Sequence, residues 1–273
     1  MINKTEMRNE RSKHIDKMEL ADALKLINDE NSIAVEAVNA AIPKIEQACL
    51  LMIKAVNDQK RIFYIGAGTS GRLGVMDAAE CPPTFGVSRD LFTGIIAGGH
   101  ECMFRAAEAQ EDDPRQAVCD LENAGIKSGD VLIGLSASGG AAYVVSALRY
   151  AKEVGAHAVA IVNNPDTLME KNADITIVLD TGAEVITGST RMKAGTSQKI
   201  VLNMLSTMTM VKCGCVYENM MINLSPTNIK LRARVIRILC EILECDEKEA
   251  EELLDKTDWN LKKAIDLYNV RVR

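Results

Sequence analysis

This chain has little of what several large functional classes require. It carries three histidines, His14, His100 and His157, too few and too dispersed to converge on a metal ion. Eight cysteines are scattered, at 49, 81, 102, 119, 213, 215, 240 and 245, and their spacings match no zinc pattern. Only Cys213-Gly-Cys215 is close, and it lacks a second pair, so no metal is expected and the thiols read as reduced and mostly structural. Positive charge is not in excess: 32 basic residues face 38 acidic ones for a net charge of -6, well mixed along the chain, whereas a nucleic-acid binder needs a basic stripe. No apolar run approaches the roughly 20 residues of a membrane span. The start, "MINKTEMRNERSKHID", has no apolar signal core. These absences exclude nucleic acid and membrane as partners and leave a cytoplasmic protein as the expectation.

What is present is an α/β pattern. At 273 residues and 47% hydrophobic, the chain suffices for one large α/β domain with helical additions. From Leu20 to Gln59 apolar residues recur every three or four positions (Val38, Ile42, Ile45, Cys49, Met52, Val56), which predicts helix, with Pro43 expected to kink it or start a second one. From Arg61 the period changes. Short uninterrupted apolar runs at Ile62–Ile65, Leu91–Ala97, Val131–Leu135, His157–Val162 and Ile175–Leu179 read as strands buried on both faces. Helices between them, Gly139–Gly155 most clearly, predict a doubly wound, mostly parallel five-stranded sheet flanked by helices. A long apolar helix follows Ser189, and Thr227–Arg273 reads as three helices, with Asp246 opening one and Asp258 capping the last. The expected division is 1–50 for an N-terminal arm and helices, 51–216 for the sheet domain and 217–273 for a small C-terminal helical region.

Three glycine- and hydroxyl-rich loops flank the predicted strands: Gly66–Gly71, Gly134–Gly140 and Thr187–Lys199. Each opens a helix, whose free N–H groups and dipole suit an anion. The first reads G-x-G-x-x-G, a dinucleotide-binding pattern, but that use needs a carboxylate at the end of the second strand. Here that strand ends in Ala97-Gly98-Gly99, and two adjacent hydroxyls, Thr69 and Ser70, suit a compact phosphomonoester instead. No nucleotide cofactor is expected. Glu80, directly before Cys81-Pro82-Pro83, is expected to end the helix that the first loop begins, at the negative end of the dipole, a position that disfavours a carboxylate and suits a general acid. A second acidic cluster, "AEAQEDDPRQ", offers Glu111, Asp112 and Asp113, and nothing in the residues themselves chooses among them.

The strings "YIGAGTSGRLGVMDAAECPPTFG", "IIAGG", "AEAQEDD" and "GAEVITGSTRMKAGTSQKIVLNMLST" closely resemble the N-acetylmuramic acid 6-phosphate etherase family, and the similarity extends to the opening "TEMRNERSKHIDKM" and, more loosely, to "AEELLDKTDWNLKKAI". The resemblance implies a single sugar isomerase (SIS) domain that binds a phosphosugar. It implies cleavage of the D-lactyl ether of N-acetylmuramic acid 6-phosphate to N-acetylglucosamine 6-phosphate and D-lactate, in bacterial recovery of cell-wall amino sugars. It also implies a homodimer, with which the apolar Ile200–Val211 stretch is consistent. Mapped onto this chain, the family's proton donor to the leaving lactate is Glu80, and its second acid–base group is Glu111. SIS domains hold phosphate with hydroxyls after the first and third strands, here Thr69 and Ser70, then Ser136 and Ser138, with Gly68 and Gly139 as further phosphate-binding candidates in the same loops. Ser189, Thr190, Arg191 and Lys193 are candidate partners for the phosphate or the lactyl carboxylate, with Lys199 a weaker one.

Two positions depart from the family pattern. Where the family usually reads "ASGRTPY", this chain reads "ASGGAAY": Gly140 stands for an Arg and Ala141 for a Thr hydroxyl expected to touch phosphate. Losing one donor to a charged group costs about 1.5–3 kcal/mol, so weaker substrate binding is expected. Glu10 stands where the family commonly has Pro, with a local effect on the N-terminal arm. The competing readings are a non-catalytic phosphosugar-sensing regulator, which would tolerate loss of Glu80 or Glu111, and an aldose–ketose phosphosugar isomerase, which would not need the Glu of "ECPPT".

Overall fold

The computed structural model describes residues 3–105, 108–223, 226 and 229–271. Ala107 of the acidic cluster and Thr227, the expected start of the C-terminal helices, lie outside them. The chain divides into two compact units, Met1–Ala79 with Asp90–Thr209, and Glu80–Arg89 with Met210–Arg273.

The first unit holds a five-stranded sheet of β1 (Ile62–Gly66), β2 (Phe92–Ile96), β3 (Val131–Ser136), β4 (His157–Val162) and β5 (Ile175–Val178). All pairings are parallel and the order is β2-β1-β3-β4-β5. The expected strands are there, each within a residue or so at its ends. β1 and β3 are buried along their whole length, which is why they read as unbroken apolar runs. Phe63, Ile65, Leu132, Ala158, Ala160 and Val162 pack against Ala117 and Leu121 of a helix at Pro114–Ala124 and Tyr143–Ala151 of another at Ala142–Glu153.

In chain order the helices are α1 (Leu20–Asn57), α2 (Gly68–Phe85), α3 (Glu101–Phe104), α4 (Pro114–Ala124), α5 (Ala142–Glu153), α6 (Leu168–Asn172), α7 (Lys193–Lys212), α8 (Ile229–Leu243), α9 (Glu247–Asp255) and α10 (Leu261–Arg271). The expected break at Pro43 does not occur: α1 runs through it for 38 residues. A proline removes one hydrogen bond, here to the carbonyl of Asn39, and both residues are exposed, so that carbonyl is open to solvation. The opposite face, Ala34, Ala37, Val38, Ala41, Ile45, Ala48 and Met52, is buried and holds the helix together across the gap. Ile42, assigned to the apolar stripe from the sequence, is 44% exposed.

The expected helix end at Glu80 is also corrected. α2 continues through Pro82 and Pro83 to Phe85, because a proline forfeits only its own N–H bond and its carbonyl still accepts one: Gly86 N donates to Pro82 O at 2.9 Å. Asn223 Nδ2 caps the Phe85 carbonyl at 2.9 Å.

In the second unit α8, α9 and α10 enclose Val235, Leu239, Ala250, Leu254, Leu261 and Ala264. Asp246 caps α9 as expected, accepting from Glu249 N at 2.9 Å. The cap of α10 is Asn260 rather than Asp258: Lys263 N donates to Asn260 Oδ1 at 2.9 Å, while Asp258 and Trp259 form a turn with φ of 51° and 57°. A short hairpin of β6 (Val216–Tyr217) and β7 (Met220–Met221) was not foreseen.

Candidate functional site

Gly66 pairs with Leu135, so β1 and β3 leave the sheet level with each other. β2 lies outside β1, while β4 and β5 lie outside β3, so the winding reverses between these two strands. An open α/β sheet leaves its ligand crevice at that reversal. The first two candidate loops both start there.

In the first loop, close approach dictates the glycines. A Cβ on Gly71 would lie 2.6 Å from the Gly66 carbonyl oxygen, and Gly68 turns the chain at φ 52°. The two hydroxyls then differ. Thr69 is half-buried and its hydroxyl makes no hydrogen bond among the described residues. Ser70 is buried and bonds Gln198 Oε1 at 2.8 Å. The direction of that bond follows from a chain of partners. Asn163 Nδ2 donates to the Leu179 carbonyl at 3.0 Å, so Asn163 Oδ1 must accept, and it does so from Gln198 Nε2 at 2.9 Å. Gln198 Oε1 is thereby left as an acceptor, and the Ser70 proton points to it.

In the second loop Ser136 Oγ and Ser138 Oγ are 3.3 Å apart. Gly139 N donates to Ser136 and Gly140 N to Ser138, at 3.2 and 3.3 Å. One proton is shared between the two hydroxyls and one remains for a ligand. The helix begins at Ala142 rather than Gly139, and its N-cap, Ala141, has no side-chain acceptor for the first amides.

The third loop departs most from expectation. Its helix end is filled by the protein's own anion: Glu184, fully buried, accepts from Lys193 N at 3.0 Å and Ala194 N at 2.9 Å. Burial pushes the Glu184 carboxyl up, only partly offset by those amides and the Lys193 charge. Lys193 is not a free cation either. Its ammonium is 2.6 Å from Glu30 Oε2, with both side chains buried. Glu30 also accepts from Asn9 Nδ2 and Arg11 Nη1, each at 2.7 Å. Burial opposes the Glu30 charge, but Lys193, Asn9 and Arg11 outweigh it and hold the carboxyl below its ordinary value. Ser189 and Thr190 are half-buried and Arg191 is exposed. Lys199 is paired with Asp77 at 3.3 Å and with Asn203.

Glu80 is exposed on α2, within the second compact unit. Glu111 is exposed in a 3-10 turn at Glu108–Asp112, just before α4, within the first. Glu30, Asn163, Asn164, Glu184 and Gln198 were missed in the sequence. Two signals were available: the pair Asn163-Asn164 closes an apolar strand at the ligand edge, and Glu184 stands between Ala183 and Val185.

Comparison with known proteins adds to this geometry. The glucokinase regulatory protein N-terminal SIS domain model matches residues 44–152, the SIS domain model 119–208, and the UBA-like domain model 236–268. Among solved structures, a putative phosphosugar isomerase involved in capsule formation from Bacteroides fragilis aligns with TM-score 0.56 and 18% identity, covering 74% of this chain and 95% of that one. A phosphoheptose isomerase from Francisella tularensis gives TM-score 0.52 and 16% identity, covering 70% and 98%. These likenesses show a shared fold. The N-acetylmuramic acid 6-phosphate etherases of Staphylococcus epidermidis and Clostridium botulinum are each 48% identical over 96% of this chain, covering 88% and 86% of their own lengths. That of Actinobacillus succinogenes is 47% identical over the same share. With similarity of this extent, on a parallel sheet whose hydroxyl-bearing loops meet at the winding reversal, the chain belongs to the N-acetylmuramic acid 6-phosphate etherase family.

Proposed function

We propose that this protein cleaves the D-lactyl ether of N-acetylmuramic acid 6-phosphate, giving N-acetylglucosamine 6-phosphate and D-lactate. The near full-length similarity to named etherases, at 48% identity, carries the reading. The chemistry explains the need for two carboxyl groups. An ether at C3 is a poor leaving group, but ring opening places an aldehyde at C1 and makes the C2 proton acidic. Glu111 takes that proton, the C3–O bond breaks, and Glu80 gives a proton to the departing lactate oxygen. Water then adds at C3 of the unsaturated sugar, and a proton returns to C2. Acid–base steps of this kind are typically worth 10²–10⁴-fold each.

Thr69, the free proton of the Ser136–Ser138 pair and the backbone at Gly68 and Gly139 hold the phosphate. The uncapped first amides of α5 face the same anion. Arg191, exposed and able to present a two-toothed fork, meets the phosphate or the lactyl carboxylate, with Ser189 and Thr190 beside it in the chain. Lys193 serves from within, through Glu30. The enzyme works as a cytoplasmic homodimer in recovery of cell-wall amino sugars, with the phosphosugar-binding domain at 51–216.

The test is release of D-lactate from N-acetylmuramic acid 6-phosphate. No lactate above a Glu80→Ala control would sink the reading. Solvent deuterium at C2 of the product supports elimination and hydration over direct displacement.

A further inference from the structure

The N-terminal arm precedes α1 and, among its described residues, buries no apolar side chain, yet it is fastened down. Thr5 is fully buried and Ser12 is 6% exposed. Its partners are what matter. Asn164 Nδ2 donates to Thr5 Oγ1 at 3.0 Å and to the Ala137 carbonyl at 2.9 Å, while Thr5 N reaches Asn164 Oδ1 at 3.4 Å. Ala137 lies between Ser136 and Ser138, so this bridge grips the second substrate loop. Asn3 Nδ2 reaches the Ser138 carbonyl at 3.5 Å. Further along, Asn9 Nδ2 donates to the Ala183 carbonyl at 3.3 Å and Ser12 Oγ to the Val185 carbonyl at 2.7 Å. These flank Glu184, the carboxylate that caps α7. A Cβ on Gly188 would lie 3.1 Å from Glu6 Oε2, so the Glu6 side chain of the arm also sits beside the glycine that precedes Ser189.

We infer that the N-terminal arm, residues 3–12, is a positioning element of the substrate site, holding the Ser136–Gly140 and Ala183–Ser189 loops in their binding geometry. The inference rests on the etherase reading for what those loops bind. A segment that served only to cover a core would bury apolar side chains. This one spends its polar groups on the backbone carbonyls of two loops that a substrate must meet. The Thr5–Asn164–Ala137 bridge is the sharpest case, because it runs from a buried hydroxyl of the arm to the peptide between two phosphate-binding serines.

The test compares Thr5→Val, which removes the hydroxyl and keeps the volume, with Thr5→Ser, which keeps it. Amide hydrogen exchange at Gly139 and Gly140 is read in the ligand-free full chain, and KM and kcat are read from D-lactate release. Losing one hydrogen bond corresponds to about 5–10-fold. Thr5→Val is expected to speed exchange at both glycines and raise KM by about that factor with kcat nearly unchanged, and Thr5→Ser to restore both. Unchanged exchange and KM overturn the inference, as does a lowered Tm with KM and exchange unmoved. If the wild type releases no lactate, the etherase reading falls by itself. The exchange measurement then still decides the arm: faster exchange in Thr5→Val supports it and unchanged exchange overturns it.

Discussion

Lys193 Nζ lies 2.6 Å from Glu30 Oε2, and 2% and 1% of the two side chains remain exposed. The pair joins α1 to the start of α7, and Arg11 and Asn9 tie the N-terminal arm to the same carboxylate. A buried charge tolerates loss of its partner badly. Lys193→Met or Glu30→Gln is expected to destabilise the protein by about 3–5 kcal/mol, read by chemical denaturation. A change below about 1 kcal/mol in both would show that the hub is not structural.

The two buried carboxylates should respond to pH in opposite senses. Glu30 is held below its ordinary value of 4.5, so its contribution is complete above that pH and is lost as pH falls through the folded value. Glu184 is held above 4.5, so its contribution is complete below 4.5 and is lost as pH rises through the folded value. Relative to wild type, Glu30→Gln should therefore lose its disadvantage in acid, whereas Glu184→Gln should gain ground as pH rises. Denaturation midpoints measured from about pH 3.5 to about pH 7 check both.

This hub also marks the limit of what was legible in the sequence. The strands were readable because β1 and β3, buried on both faces, must be continuously apolar. The loops at the winding reversal were readable because glycine is required where Gly71 meets the Gly66 carbonyl. Glu30 and Lys193 are 163 residues apart, and no local pattern couples them. Lys193 sits in a string that invites an anion-binding role, and only the fold shows its ammonium turned inward. The prolines misled for a related reason: a local rule predicts a break at Pro43 and at Pro82, and buried faces or solvated carbonyls override it.

Thr69 and Ser70 should separate in experiment. The Thr69 hydroxyl has no partner among the described residues, so Thr69→Val is expected to raise KM about 10-fold, as for loss of one bond to a charged group. Ser70 gives its proton to Gln198, so Ser70→Ala should act mainly on stability, by about 1 kcal/mol. Equal KM effects from the two variants would contradict the polarity of the Asn163–Gln198 chain.

Restoring the family residues at 140 and 141 should improve binding. The nearest atom to a Cβ on Gly140 is Ser138 Oγ at 3.9 Å, so an arginine there has room. Ala141 is an N-cap without a side-chain acceptor, and a threonine supplies one, worth about 0.5–2 kcal/mol of stability. Gly140→Arg with Ala141→Thr is expected to lower KM by about 10-fold or more, since each adds a donor toward a charged group. An unchanged KM would mean that the phosphate does not meet the start of α5.

The division of labour between Glu80 and Glu111 is open to a test that activity alone would miss. Removing the C2 proton and protonating the lactate oxygen are separate events, and each leaves its own trace. If Glu80 serves the leaving group, Glu80→Gln should abolish lactate release, by about 10²–10⁴-fold, while C2 of the substrate still takes up deuterium from solvent. If Glu111 serves C2, Glu111→Gln should suppress both. The pattern is read by incubating each variant with N-acetylmuramic acid 6-phosphate in heavy water and following C2 by NMR beside the lactate assay. Exchange lost in Glu80→Gln and kept in Glu111→Gln would reverse the assignment. The reversal would be informative, because both side chains are exposed in this structure and exposure does not assign the two roles.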